Sequence, residues 1–322
     1  MNSNIKSVKL LDCTIRDGGL SNDSNFSDSF VIKACKACSD AGIDIFEIGF
    51  RNDRAHFDPN KFGKWRYCDD SDVEKVLKAA PNNMKISELV DAGKCDWQSI
   101  PAKPYTPVDM IRCAFYEPQR KQAIDIVKAC SDKGYETSLC MMAASTLDKP
   151  TICSALKEFS ASSASYIYLM DSFGALYPQK TRELSAIYSQ AAHSAGKLFG
   201  IHCHNNLQCA FANTLAALLE GADIADCTIS GLGKGAGNCP TEMLAFAMRE
   251  KYSPRPLLEF AQEMLAHYSP ALRRAFDAPY MLTGLFNSHP RPAMEFEDFA
   301  KIGVKQSLLK LYDSIAGELS TR

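Results

Sequence analysis

Residues 197–231 read KLFGIHCHNNLQCAFANTLAALLEGADIADCTISG. An apolar run with strand composition (197–206) is followed by a helical run of about fourteen residues ending at Gly221, and then by a second apolar run (223–231). Strand, helix and strand in one short span make a parallel crossover unit, because antiparallel neighbours need only a tight turn. Working outward, the same alternation recurs upstream. VKLLDCT (8–14), IDIFEIGF (43–50), MKISELV (84–90), DMIRCAFY (109–116), ETSLCMMA (136–143) and SYIYLMDSFG (165–174) read as six earlier strands. A helix from about Ser27 to Ala41 places Phe30, Val31, Ala34, Cys35 and Cys38 on one face, with Ser27 as its N-cap. Eight such strands alternating with helices suit a closed parallel barrel, the (β/α)8 TIM barrel, better than an open sheet. After residue 250 only helical patterns remain. The expected organisation is a TIM-barrel catalytic domain over 1–252 and a C-terminal helical extension over 253–322, divided near SPRP (253–256).

Composition narrows the functional class. The chain has 322 residues, is 46% hydrophobic, and carries 36 Lys and Arg against 38 Asp and Glu, so it can bury a large core and has no global basic field. Nucleic-acid binding is therefore not expected. Thirteen cysteines in a long chain, an odd number, with no apolar segment in MNSNIKSVKLLDC, read as reduced thiols in the cytoplasm. No stretch approaches the ~20 apolar residues that span a bilayer. Small-molecule chemistry is the expectation that remains.

Three strand ends carry that chemistry. His202 and His204 lie two apart, so on a strand they project to the same face while Cys203 points away. Such a pair can share a metal if a carboxylate joins it, although a lone strand histidine is more often structural. The C-terminal ends of barrel strands form the active face, which favours the functional reading. LLDCTIRDGGLSN (10–22) offers the carboxylate: Asp12, Thr14 and Arg16 share one strand parity, Asp17 stands at the turn into Gly18 and Gly19, and either aspartate could reach the mouth. After the eighth strand, GLGKGAGNCP (231–240) could bring backbone N–H groups close to an anion. It fails as a Walker loop, because Lys234 is followed by Gly235 where Ser or Thr would hold magnesium.

Taken in order, LDCTIRDGG, EIGF, DSFG, HCHNN and GLGKGAGN resemble the DRE-TIM metallolyase superfamily over roughly residues 8–250. Within it the chain looks most like the 4-hydroxy-2-oxovalerate aldolase branch, with 3-hydroxy-3-methylglutaryl-CoA lyase and 2-isopropylmalate synthase as more distant cousins. The resemblance implies a metal-dependent class II aldolase or lyase. It implies a divalent cation, manganese first and magnesium, cobalt or zinc as alternatives, held by Asp17, His202 and His204 with Asn238 as a fourth candidate. It also implies catalytic positions for Arg16, facing a 2-oxo acid such as pyruvate, and for Ser172, near the substrate carboxylate. Asp171 is expected to orient the loop or a ligand, and Glu47 to support the site from a barrel-mouth position. The alternatives are an acyl-CoA-dependent Claisen-type synthase, a lyase of the HMG-CoA type, and a relative retained as a scaffold.

The pattern departs from that branch in two places. Leu20, Ser21 and Asn22 stand where the aldolases carry a histidine, so the general base is open; Tyr280 and His289 are candidates, and packing is the alternative for both. The C-terminal segment also differs, and the aldehyde dehydrogenase partner of those aldolases is not expected. The connection RNDRAHFDPNKFGKWRYCDD (51–70) interleaves Arg51, Arg54, Lys61, Lys64 and Arg66 with Phe57, Phe62, Trp65 and Tyr67. It could hold an anionic or sugar-like aldehyde, with Arg54 and Lys64 as selectors, or be a solvated loop with aromatic anchors. A homodimer through the apolar helices 257–272 and 308–315 is expected.

Overall fold

A computed structural model describes residues 7–80, 83–265, 278–304 and 307–320. Its centre is a closed barrel of eight parallel strands in sequential order: β1 (Lys9–Asp12), β2 (Ile45–Phe50), β3 (Lys85–Asp91), β4 (Met110–Phe115), β5 (Glu136–Met141), β6 (Tyr166–Asp171), β7 (Leu198–Cys203) and β8 (Ile224–Cys227). Closure comes from β1 pairing with β8, Lys9 opposite Ile224 through Asp12 opposite Cys227. Around it run α1 (Thr14–Gly18), α2 (Asp28–Ala41), α3 (Asp70–Ala79), α4 (Arg120–Asp132), α5 (Lys149–Ala161), α6 (Pro178–Ser194), α7 (Ala210–Leu219) and α8 (Thr241–Ala247), and then α9 (Arg255–Phe260), α10 (Ala278–Leu285), α11 (Arg291–Lys301) and α12 (Leu308–Ser320). No described helix is long and apolar enough to cross a membrane.

Burial follows the two periodicities. In α2 the five residues of the expected stripe are all buried, and the Ser27 side chain accepts a hydrogen bond from the Phe30 N–H. On the strands, Leu11, Ile45, Met110, Tyr166 and Ile224 point inward, while their neighbours pack against the helices. The next inward position on each even strand gives Glu47, Arg112, Tyr168 and Asp226, one layer in which three of four side chains are charged. Layers built from alternate strands are usual in this fold; their usual filling is aliphatic. Gly200 makes room for this layer, since a Cβ there would lie 2.4 Å from Cζ of Tyr168.

Two expectations shift. β1 stops at Asp12 instead of running on to residue 14, because the Asp12 carboxylate accepts from the Thr14 N–H (3.0 Å) and the Thr241 hydroxyl (2.6 Å), turning the chain into α1. Asp12 is thereby held against α8, away from the mouth, and Arg16 and Asp17 project from a helical turn instead of a strand. The helix before β8 spans ten residues, not fourteen: it begins after Cys209 and ends before Gly221, whose φ of +97° suits a glycine. The C-terminal helices return to the barrel. Phe260 packs on Phe30 with ring centroids 5.1 Å apart, and Asn206 donates to the Tyr280 carbonyl from the β7 loop (3.1 Å). Of the two dimer helices, residues 266–272 lie outside the described residues, and Leu311 and Ile315 are buried beside Leu282 within the chain.

Candidate active site

Six side chains form a continuous polar chain from the barrel interior to its mouth. Arg112, fully buried, donates to Glu47 Oε1 (2.8 Å) and Asp226 Oδ2 (2.6 Å) and stacks on the Tyr168 ring at 4.3 Å. Glu47 Oε2 accepts from Arg16 Nε (2.7 Å), and Arg16 Nη1 donates to Asp17. At the other end, Asp226 Oδ2 lies 3.0 Å from His202 Nδ1. Burial opposes the charges of Arg16 and Asp17, yet their neighbours prevail: Glu47 and Asp17 raise Arg16, while Arg16, His204 and His202 hold the Asp17 carboxyl far below the usual range. Three carboxylates face two guanidinium groups, which leaves one negative charge in excess.

The metal candidates of the sequence reading converge at the mouth end. One ligand atom each from Asp17, His202 and His204 lies within 4.8 Å of the other two. The two Nε2 atoms approach to 3.4 Å. Asp226 engages Nδ1 of His202, which turns Nε2 toward His204 and Asp17. Burial lowers His204 to about 4, so its ring is neutral near pH 7. Two imidazole nitrogens and a carboxylate oxygen therefore share one small space, a donor set that suits a divalent cation. Asn238 donates to Asp17 Oδ1 (2.7 Å) while its own buried Oδ1 has no partner, so a fourth donor oxygen is present. His202 also belongs to a second set with Cys13 and Asp226. That set is the weaker one: burial raises the Cys13 thiol far above its ordinary value, and Asp226 is occupied by Arg112.

Loop chemistry holds this geometry together. A Cβ on Gly233 would fall 2.1 Å from Asn238 Nδ2 and 2.7 Å from Asp17 Oδ1, so only glycine lets the β8 loop pass so close. Ser172 is partly buried on the β6 loop, its Oγ accepting from the Ala143 N–H (3.1 Å). Asp171 faces away from the cation candidates and accepts from the N–H groups of Ala175 and Leu176, so it orders the loop. Glu47 lies inside the barrel, below the mouth position expected for it. Its support of Arg16 is direct.

The general-base candidates and the charged loop also find places. His289 stacks edge-on against Phe173 and sits 3.4 Å from the Tyr116 hydroxyl, and the Tyr280 ring covers Gly235 in the β8 loop. In the β2 connection, Arg54 pairs with Asp69 (2.7 Å) and Lys64 bridges Asp28 (2.6 Å) and Asp72 (2.8 Å). The two expected selectors thus pair with carboxylates of the chain itself. Arg112, Asp226 and Lys234 were missed as site residues. The first two are charged residues in otherwise apolar strand segments, a signal present in the sequence. Lys234 is half-buried in the β8 loop; burial lowers its ammonium against the pull of Asp17.

Comparison with known proteins gives a consistent set. Residues 108–264 match the HMGL-like family model. The chain is 26% identical over 250 residues to a 4-hydroxy-2-oxovalerate aldolase of Pelotomaculum thermopropionicum, covering 76% of this chain and 71% of that protein. It is also 26% identical over 253 residues to an oxaloacetate decarboxylase of Mycobacterium tuberculosis, covering 75% and 70%. Among solved structures, the N-terminal domain of a candidate aldolase from Bacteroides vulgatus superposes with a TM-score of 0.76 at 25% identity, over 91% of this chain and 97% of that one. The carboxyl transferase domain of Rhizobium etli pyruvate carboxylase shares the fold, with a TM-score of 0.69 at 18% identity over 93% of this chain and 54% of that one.

Proposed function

We propose that this chain, whose residues 108–264 match the HMGL-like family model, is a divalent-metal-dependent lyase that breaks or forms a carbon–carbon bond beside the carbonyl of a 2-oxo acid, with pyruvate as the first candidate and an aldehyde as its partner. Asp17, His202 and His204 would hold the cation, manganese being the first choice, with Asn238 Oδ1 as a further donor. Bound there, it would supply Lewis-acid polarisation of the 2-oxo acid carbonyl.

The observation that carries this reading is the state of Arg16. Its Nε is fixed by Glu47 and its Nη1 by Asp17, while Nη2 is buried and has no hydrogen-bond partner. A fixed, desolvated donor with one N–H group unused is suited to an oxyanion that develops during reaction. Because Glu47 and Asp17 fix the guanidinium beforehand, no reorganisation is needed when charge moves onto the substrate oxygen. Ser172, on the adjacent loop, keeps its hydroxyl proton for the substrate carboxylate. The single negative charge in excess on the ionic chain suits a dication, which would leave one positive charge to match a 2-oxo acid anion.

The test needs no knowledge of the aldehyde. Metal-depleted protein is given manganese, magnesium, cobalt or zinc together with pyruvate in D2O, and deuterium entering the methyl group is followed by mass spectrometry after quenching with chelator. Metal-dependent exchange that is lost in His202→Ala and Arg16→Gln supports the proposal. Absence of exchange with every metal, in protein that binds the metal, overturns the assignment of pyruvate chemistry.

A further inference from the structure

Arg66 is the buried cation of the β2 connection that has no ion pair among the described residues. Arg51 pairs with Glu88 and Asp70, Arg54 with Asp69, and Lys64 with Asp28 and Asp72. Arg66 is only 3% exposed, yet among the described residues its guanidinium takes part in no ion pair, and its buried Nε has no hydrogen-bond partner. Three rings surround it instead: Phe50 at 4.2 Å, Phe57 at 5.0 Å and Phe62 at 5.1 Å. Cation–π contacts offset part of the desolvation of a guanidinium, and they leave its in-plane N–H donors unused. Burial accordingly lowers Arg66, and the nearest acidic groups, Asp91 and Asp23, do not reverse this.

The location turns this orphan into a recognition element. Phe50 is the last residue of β2 and belongs to the inward-facing cluster, and its ring carries Arg16 as well, at 6.0 Å. The two guanidinium groups therefore share the Phe50 ring at the end of β2, with Arg16 beside the cation candidates. Lys61, 5.3 Å from the Phe62 ring, and Lys94, 5.9 Å from the Phe57 ring, add positive charge to the outer side of the same cluster. Gly49 is part of the construction. A Cβ there would lie 2.3 Å from the Trp65 carbonyl, so glycine lets the segment carrying Arg66 sit directly on β2.

We propose that Arg66, held in the Phe50, Phe57 and Phe62 box, recognises an anionic group, carboxylate or phosphate, at the far end of the second, carbonyl-bearing substrate. The inference rests on reading the mouth as the lyase site and adds the class of its acceptor. An arriving anion completes the donor set of a guanidinium already desolvated and fixed, so most of the ordering cost is met in the free protein.

Binding is measured by calorimetry on the full chain with two matched pairs of probes: glyceraldehyde 3-phosphate against glyceraldehyde, and succinic semialdehyde against butanal. At least one anionic member should bind roughly ten-fold or more tightly than its neutral counterpart, and the preferred pair tells phosphate from carboxylate. Arg66→Gln should bring that pair to parity and Arg66→Lys should retain part of the preference; Arg54→Gln, outside the box, should leave it intact. Equal binding within both pairs overturns the proposal, as does a preference that survives Arg66→Gln in folded protein. Calorimetry reads the acceptor without chemistry, so anion preference without pyruvate exchange would refute the lyase reading alone, and exchange without anion preference would refute Arg66 alone.

Discussion

His202 presents its Nδ1 to Asp226 Oδ2 at 3.0 Å, from the neighbouring strand β8. That contact decides which nitrogen of the histidine is available at the mouth. It also links the cation candidates to the ionic chain inside the barrel, since the same carboxylate oxygen accepts from Arg112.

Asp226→Asn should therefore weaken metal binding without touching a ligand. An amide oxygen can still accept a hydrogen bond, but it lacks the charge that favours one tautomer and raises the basicity of the ring. Losses of this type are about 10- to 100-fold in metal affinity. Competition against a chromophoric chelator measures it, and an unchanged affinity would show that His202 is oriented by something else.

Arg112 is the keystone of the interior. Removing it as Arg112→Met leaves Asp226 without a guanidinium and Glu47 with Arg16 alone, a loss of about 3–5 kcal/mol for a broken buried pair. Urea unfolding should show that loss, and the double variant Arg112→Met with Asp226→Asn should recover part of it. A double variant no more stable than the single one would mean that the stacking on Tyr168, rather than the charges, is what Arg112 contributes.

Arg112 also marks the limit of what was legible in the sequence. The barrel could be read because strand and helix periods alternate eight times, and His202 with His204 because a spacing of two on a strand fixes a common face. Asp17 and Arg16 could be placed at the mouth, but not by strand parity, since the Asp12 side chain ends β1 before either is reached. The interior layer was not read because each member lies on a different strand: Glu47, Arg112, Tyr168 and Asp226 become neighbours only when the barrel closes and its stagger is known. The same holds for the loop cations. Only tertiary contacts decide that Lys64 reaches Asp28 while Arg66 reaches no carboxylate among the described residues.

Asp171 sets a pH dependence whose sign follows from its surroundings. Burial raises its carboxyl to about 7 despite hydrogen bonds from Ala175 and Leu176. Between about pH 4, near the unfolded value, and pH 7 the folded chain keeps a proton that the unfolded chain has lost, so this group's contribution to stability falls as pH rises through that window. Asp171→Asn removes the slope. Relative to the parent, the variant should gain stability steadily from pH 4.5 to 7.5 in urea titrations, by an amount on the order of a few kcal/mol at the upper end. A stability difference that stays flat with pH would mean that the carboxylate is ionised in the folded protein throughout.

Gly233→Ala separates the architecture of the mouth from that of the barrel. The added methyl cannot coexist with Asn238 Nδ2 at 2.1 Å and Asp17 Oδ1 at 2.7 Å, so one of three things must move: the β8 loop, the Asn238 amide or the Asp17 carboxylate. The strands below are not involved. Because a loop at the rim yields more readily than a packed interior, the melting temperature should fall by only a few degrees, the equivalent of about 1 kcal/mol. Metal affinity should fall far more, since Asp17 and Asn238 are displaced together and Arg16 loses the partner that fixes its Nη1. Chelator competition and thermal unfolding on the same sample give both numbers. An affinity that survives the methyl would mean that the cation is held without Asp17 and Asn238, by the two histidines and groups other than those assigned here.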